Sequence, residues 1–163
     1  MNYKLIADEI AAQAQKVQGI SKVYQSERLV TDWKGFFDIN TDSQGRVNVL
    51  FIRRLDAQEN HNGPLGTEDA SSEIEAVYRP ETWQLTLVYV YFDDPDQPSE
   101  LFKSLIEDGL QAQFRFLQDL NGLVWQQNPL KLISSQPAMF GEVLCHKSVM
   151  TLQLSQRIIN PGP

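Results

Sequence analysis

The densest group of potentially reactive side chains in the sequence is a run of three aspartates, Asp93, Asp94 and Asp96. Clustered carboxylates can hold Mg²⁺ together with a substrate phosphate. The run also precedes a predicted helix, where acidic side chains cap free N–H groups and complement the helix dipole. Capping is the favoured interpretation, because no second acidic cluster completes a two-metal site. An enzyme that uses these carboxylates is kept as an alternative.

A second pattern, Asp38-x-Asn40-x-Asp42, resembles the start of an EF-hand calcium loop. Ser43 stands where that loop requires glycine, and Val49 stands where it requires glutamate. The flanking residues also alternate like strands, whereas an EF-hand loop joins two helices. The pattern therefore predicts a hairpin turn, and we expect no metal site in the chain.

The cysteine and the two histidines form no predicted catalytic or zinc-binding set. Cys145 and His146 are adjacent on a predicted strand, so their side chains should point to opposite faces and not form a nucleophile–base pair. His61 lies in a predicted loop far away in the sequence. Because no phosphate-binding, dinucleotide-binding or serine-hydrolase motif is present either, we expect no catalytic residue and no cofactor.

The elements that must position any site are built around one predicted strand and the helix that follows it. Residues 82–92 alternate, with large apolar side chains at odd positions from Trp83 onward. The even positions change from polar to apolar, and we expect the following helix to cover that second face. Helical spacing of apolar residues predicts one long helix over 101–120, which Asn121-Gly122 should end.

The remaining patterns predict shorter elements on both sides of this centre. Before it we expect a helix over 2–18, a strand over 20–24, a hairpin of 33–40 with 46–54, a long projecting loop over 55–72, a strand over 73–78 and a turn at 79–81. After it we expect an apolar piece at 130–133, a bend at 137–141 and strands over 142–146 and 148–158. The result is a single domain over 1–163 with a flexible tail at 159–163. Its fold class is α+β: a mostly antiparallel or mixed sheet packed by an N-terminal helix and one long central helix.

Composition limits the classes of function. The 163 residues carry a net charge of −7 and one cysteine. An acidic chain is poorly suited to gripping phosphate backbones, and one cysteine excludes an internal disulfide framework. The sequence contains no run of 18 apolar residues, so we expect no membrane span. Its first residues do not have the pattern of a secretory signal peptide.

One set of residues is a candidate for contact with another subunit or a partner. The candidates are Arg53, Arg54, His61, Trp33, Phe36 and Phe37. The arginine pair ends a predicted strand and can meet an acidic neighbour such as Glu73 or Glu75. The aromatic residues are of the kind enriched at subunit interfaces. The alternative is that the arginines and the histidine face water and that the aromatic rings belong to the core.

The order of the predicted elements, together with Gly-Ile-Ser-Lys-Val-Tyr at 19–24 and residues 87–94, 99–122 and 148–155, resembles one protein family. This family is the tail terminator, or tail completion, proteins of long-tailed bacteriophages. The resemblance covers nearly the whole chain and is architectural. It implies a non-catalytic virion protein, assembled in the host cytoplasm and located in the tail or neck.

The resemblance also implies partners. Tail terminators form a hexameric ring that caps the tail-tube protein, stops tube polymerisation and docks to the head connector, while DNA passes through the lumen without specific binding. We expect one ring patch in the long loop with Arg53 and Arg54, and the other on the outer face of the N-terminal helix. Replacing both arginines with Glu should then reduce ring formation and leave stability nearly unchanged. Alternatives are a head-completion or connector-adaptor protein of the neck, and a small cytoplasmic ligand-binding module.

Overall fold

The computed structural model describes residues 2–25, 33–41, 46–57, 76–91, 100–140 and 143–159. The elements in chain order are α1 (Asn2–Gln15), β1 (Lys22–Tyr24), α2 (Trp33–Asn40), β2 (Arg46–Ala57), β3 (Ala76–Tyr91), α3 (Glu100–Arg115), β4 (Gln126–Gln127), β5 (Lys131–Phe140) and β6 (Val143–Ile159). The fold is α+β with an N-terminal helix and a mixed, mostly antiparallel six-stranded sheet, which confirms these parts of the predicted fold class; the long central helix that it included is not present at its predicted length.

Two long strands, β3 and β6, form the centre of the sheet. The strand order is β1-β2-β3-β6-β4, and β5 also pairs with β6. Only the β1–β2 pair among these is parallel. The β3–β6 ladder runs from Ala76 opposite Ile159 to Tyr89 opposite His146. This long ladder fixes which side chains of the two strands share a face, because directly paired residues project to the same side.

Helices α1 and α3 pack on one face of the sheet, which we call the helix face. Ile6, Ile10 and Ala14 of α1 recur at helical spacing and are buried there, and Val17, just beyond the end of the helix, joins the same core. The odd positions of β3 are also buried on this face. The main core side chains are Trp83, Leu85, Leu87, Tyr89, Ile106, Leu110, Phe114, Leu120, Met150 and Leu152. Every second residue of β3 and the residues three or four positions apart on α3 are buried against each other, so each element packs with the face that its sequence pattern predicts.

Helix α2 covers part of the opposite face of the sheet. The predicted strand over 33–40 is wrong, because these residues form α2. Phe36, Phe37 and Asn40 recur at helical spacing and face the sheet side of the helix. The Asn40 side chain donates to the carbonyl of Phe36 at 2.8 Å and to the hydroxyl of Tyr24 at 3.0 Å. These contacts stabilise a helix where a strand was predicted. Asp38 and Asn40 therefore lie in a helix and not in a hairpin turn, and Asp42, the third residue of their pattern, lies outside the described residues.

The prediction that the even positions of β3 become buried toward the end of the strand is correct in part. Val88 is buried as the polarity change of the strand predicts. Its neighbours, however, come from α2 and β2, whereas α3 lies on the helix face. The expectation that the following helix, α3, covers the second face of this strand is therefore wrong.

Helix α3 is shorter than predicted. It ends at Arg115, after 16 residues, and turns follow as far as Trp125. Leu120, Asn121 and Gly122 all have positive φ, of 48°, 56° and 86°. Gly122 adopts the predicted left-handed conformation, but it closes this turn region and not the helix. Leu120 is nevertheless buried, since the turn folds it back onto the core.

Strands continue through three predicted interruptions in the described residues. β3 passes through the predicted turn at 79–81, β5 includes residues 137–140 of the bend predicted over 137–141, and β6 is one strand where two were expected. Proline is tolerated where no ladder N–H is needed. Pro80 lies just beyond Glu81, where the described β2 pairing ends, and Pro137 lies on β5, which pairs only with β6 among the described strands.

Several predictions fall partly or wholly outside the described residues. The first three residues of the predicted long loop belong to β2, and the rest of it lies outside. The aspartate run at 93–96, Asp42, His61 and the tail beyond Ile159 also lie outside the described residues.

Candidate functional site

A cluster of hydroxyl groups surrounds one buried carboxylate, Glu107 of α3, on the helix face. Its Oε1 accepts hydrogen bonds from Ser135 Oγ of β5 at 2.6 Å and from Tyr89 Oη of β3 at 3.3 Å. Ser148 Oγ of β6 donates to the same oxygen. The sheet register brings these side chains together, since Ser135 pairs with Ser148 and Tyr89 pairs with His146. The cluster therefore joins three strands to α3 through one oxygen atom.

His146 completes this cluster without forming a catalytic triad. Its Nε2 lies 2.8 Å from Ser135 Oγ, and its ring stacks on Tyr89 with 4.9 Å between centroids. Ser135 has a single hydroxyl proton, which is directed to Glu107. Nε2 must then donate to Ser135 Oγ, so it is not placed to accept a proton from that serine. The geometry favours a network that fixes β5, β6 and α3, with no activated nucleophile.

Asn48 of β2 extends this polar row across the sheet. It lies directly opposite Tyr89 and is fully buried on the helix face. Its side-chain Nδ2 and Oδ1 have no hydrogen-bond partner. Its backbone is held, because the Ser21 N–H donates to its carbonyl at 2.8 Å. Asn48 is thus the least satisfied polar side chain of this row.

A second buried carboxylate, Glu81 of β3, is paired with cations. Arg54 Nη1 and Arg79 Nε lie 3.2 Å and 3.3 Å from its Oε1, which also accepts from Gln156 Nε2 at 2.8 Å. Trp83 Nε1 donates to Oε2 at 2.9 Å. With both carboxylate oxygens bonded, this network stabilises the junction of β2, β3 and β6.

The arginine pair is therefore divided between the two faces of the sheet. Arg54 lies on the helix face, where it binds Glu81 and its guanidinium lies 5.0 Å from the Tyr3 ring centroid. Arg53 pairs with Gln84 on the opposite face and is exposed. Replacing Arg54 with Glu would place two carboxylates together beside the core. Because of this ion pair, we expect the Arg54 half of the double charge reversal to lower stability, whereas the prediction of nearly unchanged stability stays in place for Arg53.

The predicted aromatic candidates lie on α2. Phe37 is buried and Phe36 is half-buried, and both pack with Tyr24, Val88 and other residues of the second core cluster. Nothing is described of the side chain of Trp33 or of His61. The structure thus uses Phe36 and Phe37 within the chain's own core, and it does not bring them together with Arg54.

Cys145 and His146 point to opposite faces of β6, as predicted. Cys145 is buried in the core cluster beneath α2. Burial raises the pKa of the Cys145 thiol to about 11, and the nearby Lys147 ammonium opposes the rise. The thiol is therefore an unreactive core group at neutral pH.

The face opposite α1 and α3 has two regions. We call the region beneath α2 the covered sheet face; its side chains are Val47, Val49, Phe51, Val88 and Cys145. We call the remainder, on β2, β3, β5 and β6, the open sheet face. Its neutral side chains include the partly or well exposed Thr82, Gln84, Gln136, Thr151, Gln153 and Ser155 and the half-buried Tyr78 and Val149. Its cations are Arg53, Lys131, Lys147 and Arg157, all exposed. Alternation in β6 between buried Met150 and polar Thr151 already signals this face in the sequence.

The described residues contain no group of three His, Cys, Asp or Glu side chains that could hold a metal ion. In the same part of the chain, no helix is long and apolar enough to cross a membrane. A scan against protein-family models finds no match, and a search of curated proteins finds no relative.

Proposed function

We propose that this chain is a structural virion protein of the tail terminator kind, which forms a ring that caps the tail tube and provides the docking surface for the head. The observation that carries the proposal is a pair of different exposed apolar patches at opposite ends of β6. Exposed apolar groups of this kind mark protein–protein contact sites. A closed ring joins two different patches of neighbouring copies, so it requires this non-equivalence.

The first of these, the hairpin patch, consists of Met139 and Leu144. These residues pair directly across the β5–β6 hairpin and are 60% and 63% exposed. Both project on the side of the helix face, beyond the described part of α3 that packs there. Two large apolar side chains at the tip of an edge hairpin are costly to leave in water and are suited to a partner.

The second, the carboxy-terminal patch, consists of Trp125 and Ile159, which lie on the side of the sheet opposite α1 and α3. Trp125 is 49% exposed and Ile159 is 64% exposed. Trp125 is oriented by its backbone N–H, which donates to the Ser155 carbonyl at 2.8 Å, and by the Arg157 guanidinium 4.9 Å from its ring centroid. Fifteen residues of extended strand separate Leu144 from Ile159, or about 50 Å. One copy thus offers two distant contact surfaces.

The N-terminal helix and the mostly antiparallel sheet, two of the predicted features on which the resemblance rests, are present and support the proposal. Among the described strands, β1 pairs only with β2 and β5 pairs only with β6, so each leaves an edge for lateral contacts between copies.

The test replaces Met139 and Leu144 with Glu and measures assembly by sedimentation velocity, negative-stain microscopy and capping of tail-tube polymerisation. We expect ring formation and capping to fall at least tenfold, while the monomer unfolds within about 0.5 kcal/mol of the parent because both positions are exposed. Ile39→Glu is the matched control: Ile39 is an apolar residue 81% exposed on α2, and its replacement should leave assembly intact.

If the parent chain is monomeric at all concentrations, alone and with tube protein, and leaves tube length unchanged, the proposal is wrong. Intact rings from the Met139 and Leu144 variant would remove the hairpin patch as the ring contact.

A further inference from the structure

Three cations of the open sheet face have no carboxylate beside them in the described part of the chain. Lys131, Lys147 and Arg157 are all exposed, and the ion pairs among the described residues involve other side chains. The carboxylate described on this face is Asp56, on β2, whose Oδ1 accepts a hydrogen bond from the Thr82 N–H at 3.2 Å. The face therefore presents positive charge in a protein of net charge −7.

Arg157 is held in place by its stacking on Trp125. The guanidinium lies 4.9 Å from the centroid of the indole ring. Trp125 is fixed in turn, because its backbone N–H donates to the Ser155 carbonyl at 2.8 Å and its ring meets the Tyr78 ring edge-on, with 6.2 Å between centroids. A guanidinium stacked on an indole keeps its N–H donors free in the plane of the group. Arg157 is therefore oriented in advance to bind a carboxylate or a phosphate through two hydrogen bonds.

The spacing of the cations favours an acidic protein over a nucleic acid. Lys131 lies opposite Thr151, a position about 13 Å along β6 from Lys147 and about 20 Å from Arg157. Duplex DNA carries one charge about every 1.7 Å along its axis, and gripping it requires clustered cations. The neutral Thr, Gln and Ser side chains between the cations can donate to and accept from the polar groups of a protein surface. The occupant that fits this pattern is a protein surface with dispersed carboxylates.

The size of the face distinguishes a docking contact from a permanent one. It spans three strand spacings from β2 to β5, about 14 Å, and ten residues of β6 from Lys147 to Arg157, about 33 Å. A contact over this area buries about 900 Å² on the two partners together, whereas obligate interfaces bury about 2,000 Å² or more and are more apolar. The open sheet face is therefore matched to a separable partner, in contrast to the two apolar patches described above.

We propose that the open sheet face is a docking surface for a separate protein with an acidic surface. Arg157, oriented by Trp125, binds one carboxylate of that partner, and Lys131 and Lys147 attract the partner and set its position along β6. This inference goes beyond the proposed function and does not require a ring, because it concerns one face of a single chain. Since the chain as a whole is acidic, the contact also selects the side of the molecule that an acidic protein meets.

The test uses an eleven-residue peptide of serine and glycine with glutamates at its first, fifth and eleventh positions, which match the cation positions along β6. Zero-length carbodiimide coupling joins lysines of the full chain to the peptide, and mass spectrometry identifies the coupled residues. We expect Lys131 and Lys147 to be coupled at least tenfold more than Lys16, an exposed lysine next to α1.

Two matched probes test the spacing and the chemistry of the partner. A peptide of the same composition with its three glutamates adjacent should couple at least threefold less, because it reaches fewer of the dispersed cations. A tetrathymidylate, which carries three phosphates, should reduce coupling of the spaced peptide less than twofold when it is added in tenfold excess.

Variants of the anchor give a second readout. Arg157→Gln should lower the coupling yield at Lys147 at least threefold, because the peptide loses its hold at the far end of β6. Arg157→Lys keeps the charge without the planar fork and should restore less than half of that loss. Arg115→Gln removes an exposed arginine of α3, outside the open sheet face, and should change the yield less than 1.5-fold.

Several results would overturn the inference. Coupling at Lys16 as often as at Lys131 and Lys147 would show that the face has no preference for the acidic probe. Equal competition by tetrathymidylate would make the face a general polyanion surface, and coupling of Lys131 or Lys147 to carboxylates of another copy, with no peptide present, would assign it to a second copy. A chain that stays monomeric in the assembly test leaves the inference in place, and absence of peptide coupling leaves the proposed ring in place.

Discussion

The covered and open sheet faces belong to the same side of one sheet, yet they are built from different side chains. The covered sheet face is apolar and closed by Phe36 and Phe37 of α2. The open sheet face is neutral and cationic, and no described helix packs on it. This difference indicates that α2 completes the core of the chain. The open sheet face should contribute little to folding, and it is available for a partner. Substitutions in the two regions should therefore affect different measurements.

The largest stability effect should come from the covered sheet face. Phe37→Ala removes a buried ring from the contact between α2 and β2, and should lower the free energy of unfolding by about 3 kcal/mol. Urea denaturation followed by tryptophan fluorescence measures this change. The fraction of Phe37→Ala that stays folded should still assemble. A decrease of less than about 1 kcal/mol in its free energy of unfolding would mean that α2 does not close this core.

Two neighbouring arginines provide the next comparison. Arg54→Glu breaks an ion pair with buried Glu81 and places a like charge beside it, which should cost about 2 kcal/mol of unfolding free energy, a value reduced by the remaining Arg79 contact. Arg53→Glu, one residue away on the open sheet face, should change stability by less than about 0.5 kcal/mol. Equal effects in the same denaturation experiment would contradict the division of this pair between the two faces.

The reactivity of the Cys145 thiol tests whether α2 closes the covered sheet face. Because burial raises its pKa to about 11, the thiol of the folded protein at pH 8 should react with an aromatic disulfide reagent about 100-fold more slowly than in urea. The raised pKa also contributes stability that is present below the ordinary thiol pKa near 9 and is lost as the pH rises through 9 to 11. Rapid labelling at pH 8 without denaturant would show that α2 leaves the thiol accessible.

The smallest stability effect should come from the open sheet face itself. Lys147→Gln and Lys131→Gln remove exposed charges, and each should shift the free energy of unfolding by less than about 0.5 kcal/mol. Their effect should instead appear as weaker association, increasing in the double variant. A decrease of more than about 1 kcal/mol in the free energy of unfolding, with unchanged association, would show that the open sheet face serves folding and not contact with a partner.

Sequence patterns predicted the parts of this fold that depend on local periodicity. Alternation located β3 and the inner half of β6, and helical spacing located α1 and α3. The α2 helix was predicted as a strand, because its eight residues are too few to show a period clearly and its helical state depends on Tyr24 and Phe51 beyond it. Prolines at 80 and 137 signalled turns, whereas the edges available in the sheet allowed both strands to continue.

The buried carboxylates were not predictable in the same way. Glu81 was assigned to a turn, and Glu107 carried no signal, because their partners lie up to 75 residues away and meet only through the strand register. The open sheet face was partly visible as polar residues alternating with Met150 and Leu152, but its charge balance required the pairing of β5 with β6 to be known.

The most direct test of the account is the mass and shape of the purified chain, measured across a concentration series by light scattering and negative-stain microscopy, alone and with tail-tube protein. The account predicts ring particles of about six chain masses, in solution or on tube ends, with tube growth stopped where they bind. Particles that remain monomeric throughout, on tubes whose length does not change, would contradict it.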